Sequence, residues 1–133
     1  PDGHFIIDRL PGRPNVVARL AGGPGPSTML NGHLDVVGTD GMTHAPFDAE
    51  VRDGRLYGRG SADMKAGVAA MCVAAARAHA AGAIRGTVLV AAVADEEFES
   101  AGTRALVERL ARDGTRVDAC VITEPTRLAI MPA

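Results

Sequence analysis

Tryptophan is absent from this sequence, tyrosine occurs once and phenylalanine three times. That scarcity removes the aromatic platforms on which single-stranded nucleic acids stack. Basic residues are not in excess: 14 Lys and Arg stand against 16 Asp and Glu, for a formal charge of −2. No electrostatic footprint for a nucleic-acid backbone is present. No apolar run approaches the roughly 20 residues that a membrane span requires. The start, Pro1-Asp2-Gly3-His4, has neither the basic residues nor the apolar stretch of a signal peptide. It also lacks an initiator Met, so further residues are expected upstream. Only two cysteines occur, Cys72 and Cys120, far apart and each within an apolar run. They are expected as two buried, reduced thiols rather than a disulfide or zinc ligands, which fits the cytoplasm.

What is present is a chain of 133 residues, enough for one domain with a real core. There is no repeat and no low-complexity tract. Asn15–Ala21 reads as a short strand, ended by Gly22-Gly23-Pro24-Gly25-Pro26. Residues 28–37 read as a second strand with His33 and Asp35 near its end, followed by a polar loop over 38–45. Residues 49–52 and 55–58 flank Asp53-Gly54, a two-residue hairpin signal. Residues 63–81 form an Ala-rich helix with Gly82 at its C-terminal cap. Its faces are small or apolar, so it is expected to be largely buried. Residues 87–94 are almost continuously apolar, as in a parallel strand covered on both faces. Ala101–Arg112 reads as a second helix stopped by Gly114, and residues 117–123 as another apolar strand. Strand, helix, strand, helix, strand indicates an α/β layered domain. Acidic residues gather just past the last two strands, where open α/β sheets place their ligands.

Four segments carry candidate chemistry: Gly32-His33-Leu34-Asp35, Ser61-Ala62-Asp63-Met64-Lys65, Asp95-Glu96-Glu97 and Thr123-Glu124-Pro125. Each ends or follows a strand, or opens a helix. Nitrogen and carboxylate donors without thiolates suit zinc, cobalt or manganese. His33 alone would be an ordinary polar residue. Asp35, two residues on, shares its strand face and can accept the imidazole's other N–H. Asp63 reads as a helix N-cap, and that is compatible with a carboxylate at a helix start bridging two cations. Glu96 and Glu97 are adjacent and point to different sides, so one can bind metal while the other faces an attacking water. Glu124 directly follows a strand. An acidic surface loop or a solvated Glu would explain the last three if each stood alone.

Other motifs fail. Gly58-Arg59-Gly60 lacks the third glycine of a dinucleotide fingerprint, Ser61 lacks the glycine pattern of a nucleophile elbow, and no phosphate-binding Gly-Lys-Ser/Thr occurs.

Taken together the segments resemble the metallopeptidases and amidohydrolases that include acetylornithine deacetylase, succinyl-diaminopimelate desuccinylase, aminoacylase and carboxypeptidase G. The likeness runs from about Asn15 to the end. It rests on residues 31–37, Pro46-Phe47, residues 53–60, Asp63-Met64-Lys65, Asp95-Glu96-Glu97 with Ser100 and Gly102, and Glu124-Pro125-Thr126. The resemblance implies a three-layer sandwich, a largely parallel central sheet flanked by helices, of the co-catalytic zinc-peptidase type. It implies two divalent ions, zinc or alternatively cobalt or manganese. His33 and Glu124 would bind the first ion, Glu97 the second, and Asp63 would bridge them. Asp35 would orient His33, and Glu96 would be the general base and acid. A water bridging the metals would attack the amide carbonyl.

Two departures stand out. Met42 lies near where many members carry Trp, and the chain ends at Ala133, about where a lid or dimerisation domain should begin. Residues 1–133 are therefore expected to be the amino-terminal portion of the catalytic domain. The return segment and its further His ligand would lie elsewhere, and His4, His44 and His79 are poor substitutes. The implied reaction is hydrolysis of an N-acyl amino acid, with a dipeptidase or carboxypeptidase of the same family as the alternative. A non-catalytic binding module is a further reading. The expected partners are a small-molecule substrate and a second copy in a homodimer, with no nucleic acid or membrane.

Overall fold

Thr87–Val93 carries apolar side chains on both of its faces, and this places it at the centre of the sheet. The computed structural model describes residues 3–7 and 11–132. In chain order its elements are β1 (Gly3–Ile7), β2 (Asn15–Ala21), β3 (Ser27–His33), β4 (Glu50–Arg52), β5 (Arg55–Tyr57), α1 (Ala66–Ala80), β6 (Thr87–Val93), α2 (Ala101–Arg112) and β7 (Ala119–Ile122). Strand β1 has no counterpart among the sequence expectations. The main sheet runs β1-β2-β6-β3-β7, and β4 and β5 form a separate hairpin.

On one face Leu89, Ala91 and Val93 of β6 pack with Val17 of β2 and with Leu106 and Leu110 of α2. On the other face Val90 packs with Met71 and Ala75 of α1. The period-2 alternation of β6 thus feeds two cores, and a helix covers each side. Leu89 and Leu106 are fully buried, each contributing about 1.5–3 kcal/mol. The expected α/β three-layer architecture is present. Its parallel part is confined to β6-β3-β7, because β1–β2 and β2–β6 pair antiparallel. Strand β6 has entered between β2 and β3, held at their connection by Gly22 N–H to the Gly86 carbonyl (2.8 Å) and Thr87 N–H to the Pro26 carbonyl (3.1 Å).

The hairpin turn at Asp53-Gly54 has positive φ at both residues, 52° and 73°, as a tight two-residue turn demands. Both helices stop as expected. Gly82 and Gly114 adopt left-handed φ values of 60° and 65°, and the next N–H reaches back to a carbonyl of the last turn.

Other expectations are corrected. Strand β3 ends at His33 rather than residue 37, so Asp35 lies in the loop that follows. Helix α1 begins at Ala66, and only Met71 and Ala75 within it are buried. One stripe touches the sheet, and the remaining small side chains have little apolar area to hide. Strand β7 is an edge, exposed along its whole length. Cys72, on the outer side of α1, and Cys120, on β7, are free but exposed rather than buried. No helix among the described residues is long and apolar enough to cross a membrane.

Candidate metal centre

Parallel strands β3, β6 and β7 end side by side, and the segments leaving their C-terminal ends converge on His33. His33 is 1% exposed and held at both ring nitrogens. Nδ1 lies 3.0 Å from the Asp35 main-chain carbonyl, and Nε2 lies 3.1 Å from Asp63 Oδ1. Glu96 Oε2 and Glu124 Oε1 are each 3.8 Å from Nε2. Its own backbone N–H donates to the sulfur of buried Met64 at 3.1 Å. Two donor triplets result, His33–Glu96–Glu124 and His33–Asp63–Glu97, each with ligand atoms within 4.8 Å of one another.

This donor set fits a cation. The Asp35 carbonyl can only accept, so a proton on Nδ1 satisfies it. A neutral ring would then turn the Nε2 lone pair on three carboxylates. A proton or a metal ion between them resolves that repulsion. Accordingly the His33 pKa is raised: burial opposes the charge, but the hydrogen bonds to Asp63 and Asp35 and the charges of Glu124 and Asp35 outweigh it. Glu124 is pushed up by burial and by the carboxylates of Asp63 and Glu96, against the pull of His33. Crowded acids of this kind are what a divalent ion relieves.

Asp35 does not orient His33 in the manner expected. Its carboxylate is 3.6 Å from Nδ1, and the main-chain carbonyl makes the closer contact. The carboxylate instead accepts the backbone N–H groups of Glu96 and Glu97, each at 3.1 Å. Burial tends to raise its pKa, yet these bonds leave it lowered. Leaving the strand after His33 is what lets Asp35 reach across to the loop after β6.

Asp63 does not cap a helix either. It sits in an irregular turn, Ser61–Lys65, with extended backbone (φ −115°, ψ 103°) and a cis peptide to Met64. The cap position of α1 falls to Lys65, which makes no side-chain cap bond. Lys65 Nζ donates to the Leu34 carbonyl and ties this turn to the loop after β3. Close approach fixes the neighbourhood. A Cβ on Gly67 would lie 2.4 Å from the Thr123 carbonyl oxygen, just before Glu124.

Sequence reasoning missed the supports. Asn15, 1% exposed, accepts the Ala94 N–H at 2.9 Å and donates to the Gly102 carbonyl at 2.7 Å. It thereby brackets the loop that carries Glu96 and Glu97. Asp95, 5% exposed, pairs with Arg13 at 3.0 Å and accepts the Ala101 N–H at 3.4 Å. The signal for Asn15 was a polar residue opening an otherwise apolar strand; Met64 left none. His4, His44 and His79 belong to no donor group among the described residues.

His33 and four carboxylates thus gather at the C-terminal ends of the parallel strands, the donor chemistry of a candidate metal centre. The comparisons name it: residues 29–132 match the model of peptidase family M20/M25/M40, and the chain belongs to that family. It is 46% identical over 117 residues to a succinyl-diaminopimelate desuccinylase of Gluconacetobacter diazotrophicus, covering 85% of this chain and 30% of that protein. A desuccinylase of Parvibaculum lavamentivorans is 40% identical over 126 residues, with 92% and 31% covered. The chain thus spans about 30% of the length of the curated relatives it matches. Among solved structures, the M20 family metallo-carboxypeptidase Sso-CP2 from Sulfolobus solfataricus superposes with a TM-score of 0.79 at 21% identity, covering 92% of this chain and 28% of that one. Human carnosine dipeptidase 1 gives 0.71 at 29% identity, with 90% and 29% covered.

Proposed function

We propose that this chain supplies the metal-binding portion of a two-metal amidohydrolase that releases the acyl group from an N-acyl amino acid. The observation that carries the reading is the buried His33 Nε2 facing Asp63, Glu96 and Glu124, with Glu97 in the adjoining triplet. His33 and Glu124 would hold one ion and Glu97 the other, with Asp63 as the carboxylate that would serve both. In this reading residues 1–133 are the amino-terminal portion of the catalytic domain, and a further ligand of the second ion comes from outside them.

Divalent ions there supply the Lewis acidity that polarises the amide carbonyl and lowers the pKa of an attacking water. Glu96 also stands within the donor group around His33, and in this reading it is assigned to proton transfer rather than to an ion. It takes the proton of the water and returns it to the leaving nitrogen, so that a carboxylate and a free amine depart. Asp35 sets the position of Glu96 through the backbone bond at 3.1 Å. The deacylase reading is preferred to a dipeptidase because the desuccinylase relatives are 40% and 46% identical, against 29% for the carnosine dipeptidase.

The test is hydrolysis of N-succinyl and N-acetyl amino acids by the full-length protein with zinc, beside Glu96→Gln and Asp63→Ala. Glu96→Gln is expected to keep its metal and lose about 10²–10⁴-fold in rate. Asp63→Ala is expected to lose metal. Full hydrolysis by Glu96→Gln would remove the assigned base, and a wild-type protein that holds no divalent ion would overturn the reading.

A further inference from the structure

Arg59 lies between the β4–β5 hairpin and the turn that carries Asp63, part-buried, and no described residue pairs with its guanidinium. Its main-chain N–H bonds the Pro46 carbonyl at 2.7 Å. Its Nε is shut off from solvent and has no hydrogen-bond partner. No described residue gives its guanidinium an ion pair or a side-chain hydrogen bond. Other arginines are served: Arg13 by Asp95, Arg52 by Glu50, Arg104 by Glu99, Arg109 by Asp113 and Arg116 by Asp118. Arg55, Arg77 and Arg112 are exposed to solvent. A guanidinium cannot relieve the cost of burial by losing its proton. Nε alone is shut off from solvent, and with no described residue paired to the guanidinium, its remaining donors are free for an anion that enters the adjoining cavity.

Arg59 lines a cavity of 170 Å³ together with Val37, Ser61, Asp63 and Glu97. It also lines the adjoining hollow of Phe47, Leu56 and Tyr57. Asp63 and Glu97 are not its partners, since neither comes within ion-pair distance, and both belong to the donor triplet around His33. The first cavity has room for about five waters at roughly 30 Å³ each. That accommodates a carboxylate and the carbons that bear it.

We propose that Arg59 binds a carboxylate of the substrate, reading it from the second-ion side of the centre. The fork of guanidinium donors matches a carboxylate in bidentate fashion. The ligand class rests on the amide-hydrolase reading above: an N-acyl amino acid places a carboxylate beside the amide nitrogen, and a dicarboxylic acyl group places one beyond the carbonyl. Either source offers the same chemistry to Arg59. As a positioning residue Arg59 orders the scissile amide against Glu96 without touching the reacting atoms.

The experiment is calorimetric titration of the full-length protein in the presence of zinc, with three probes. N-acetylalanine carries a carboxylate on the amino-acid side, N-succinylalaninamide carries one on the acyl side, and N-acetylalaninamide carries none. Wild type is expected to bind at least one acid about 10-fold more tightly than the neutral amide. Arg59→Gln, with wild-type circular dichroism, is expected to bind all three alike, and the acid that loses most identifies the source. If Arg59→Gln does not fold, Arg59→Lys is read by the same ratio. Lysine keeps the charge but not the fork, so a several-fold fall in the acid preference is expected. A wild type without acid preference, or a preference unchanged in the folded variant, overturns the proposal. Every titration is run in a Glu96→Gln background, with and without the Arg59 change, so that binding is read without turnover. A protein that shows the preference there and, with Glu96 in place, hydrolyses nothing would overturn the hydrolase reading and leave this one standing.

Discussion

The carboxylate of Asp35 grips the backbone of Glu96: Oδ1 accepts the Glu96 N–H at 3.1 Å, and Oδ2 accepts that of Glu97 at the same distance. One side chain after β3 therefore sets the placement of two side chains after β6. Asp35→Asn keeps the shape but has a single acceptor oxygen, and its NH2 confronts one of the two N–H groups. The expected result is a loss of about 10–100-fold in kcat/KM. Zinc stoichiometry at saturation is expected to be unchanged, because Asp35 is not among the donor groups. Wild-type kinetics in this variant would show that the loop holds its position without Asp35.

Asn15 performs the same service from beneath. With its amide removed in Asn15→Ala, the Ala94 N–H and the Gly102 carbonyl lose their partner in a dry site. Each unpaired group costs about 1–3 kcal/mol. Urea denaturation is expected to show a loss of about 2–4 kcal/mol, large for a domain of this size. A loss well under 1 kcal/mol would mean that water or a shifted loop replaces both bonds.

These supports explain what was and was not legible. The hairpin at Asp53-Gly54 could be read because few residues tolerate positive φ in succession. The stops at Gly82 and Gly114 could be read for the same reason. The candidate ligands were visible because each stands where a strand ends or a helix begins, a local feature. The partners of Asn15 lie 79 and 87 residues away, and no local pattern announces them. The insertion of β6 between β2 and β3 follows from its two apolar faces, which periodicity alone cannot order within a sheet. An apolar run also cannot tell a central strand from an edge, so the exposure of β7 and Cys120 was missed. Asp63 could be read as cap and ligand at once; the irregular turn over Ser61–Lys65 takes the cap position to Lys65, a backbone path that no local pattern announces.

Asp118 allows a pH test away from the centre. Its carboxylate accepts the Ser27 N–H at 2.8 Å and sits beside Arg116 at 2.7 Å, joining β7 to β3. The Ser27 N–H bond is the main cause of a lowered pKa, helped by the Ser27 hydroxyl and Arg116 and opposed by slight burial. A depressed folded-state pKa means that the stabilisation is fully present above the ordinary value of 3.8 and is lost as pH falls through the folded value. Wild type is therefore expected to melt above Asp118→Asn at pH 6, with the gap closing as pH drops below about 3.8. A gap independent of pH would assign the effect to packing instead.

Gly67 sets local helix preference against tertiary contact. It lies in the first turn of α1, where alanine is favoured by about 1 kcal/mol on propensity. A Cβ there would stand 2.4 Å from the Thr123 carbonyl oxygen and 2.8 Å from the Thr123 Cβ. A backbone carbonyl cannot rotate out of the way as a long side chain can, so α1 and the segment after β7 must separate. Overpacking of this kind costs about 1–3 kcal/mol. The contact thus outweighs the propensity, and Gly67→Ala is expected to melt below wild type. Separation would also draw Glu124 away from His33, now 3.8 Å apart, so zinc affinity is expected to fall with the melting temperature. A Gly67→Ala protein that melts higher, with unchanged zinc affinity, would show that α1 does not hold the end of β7 in place.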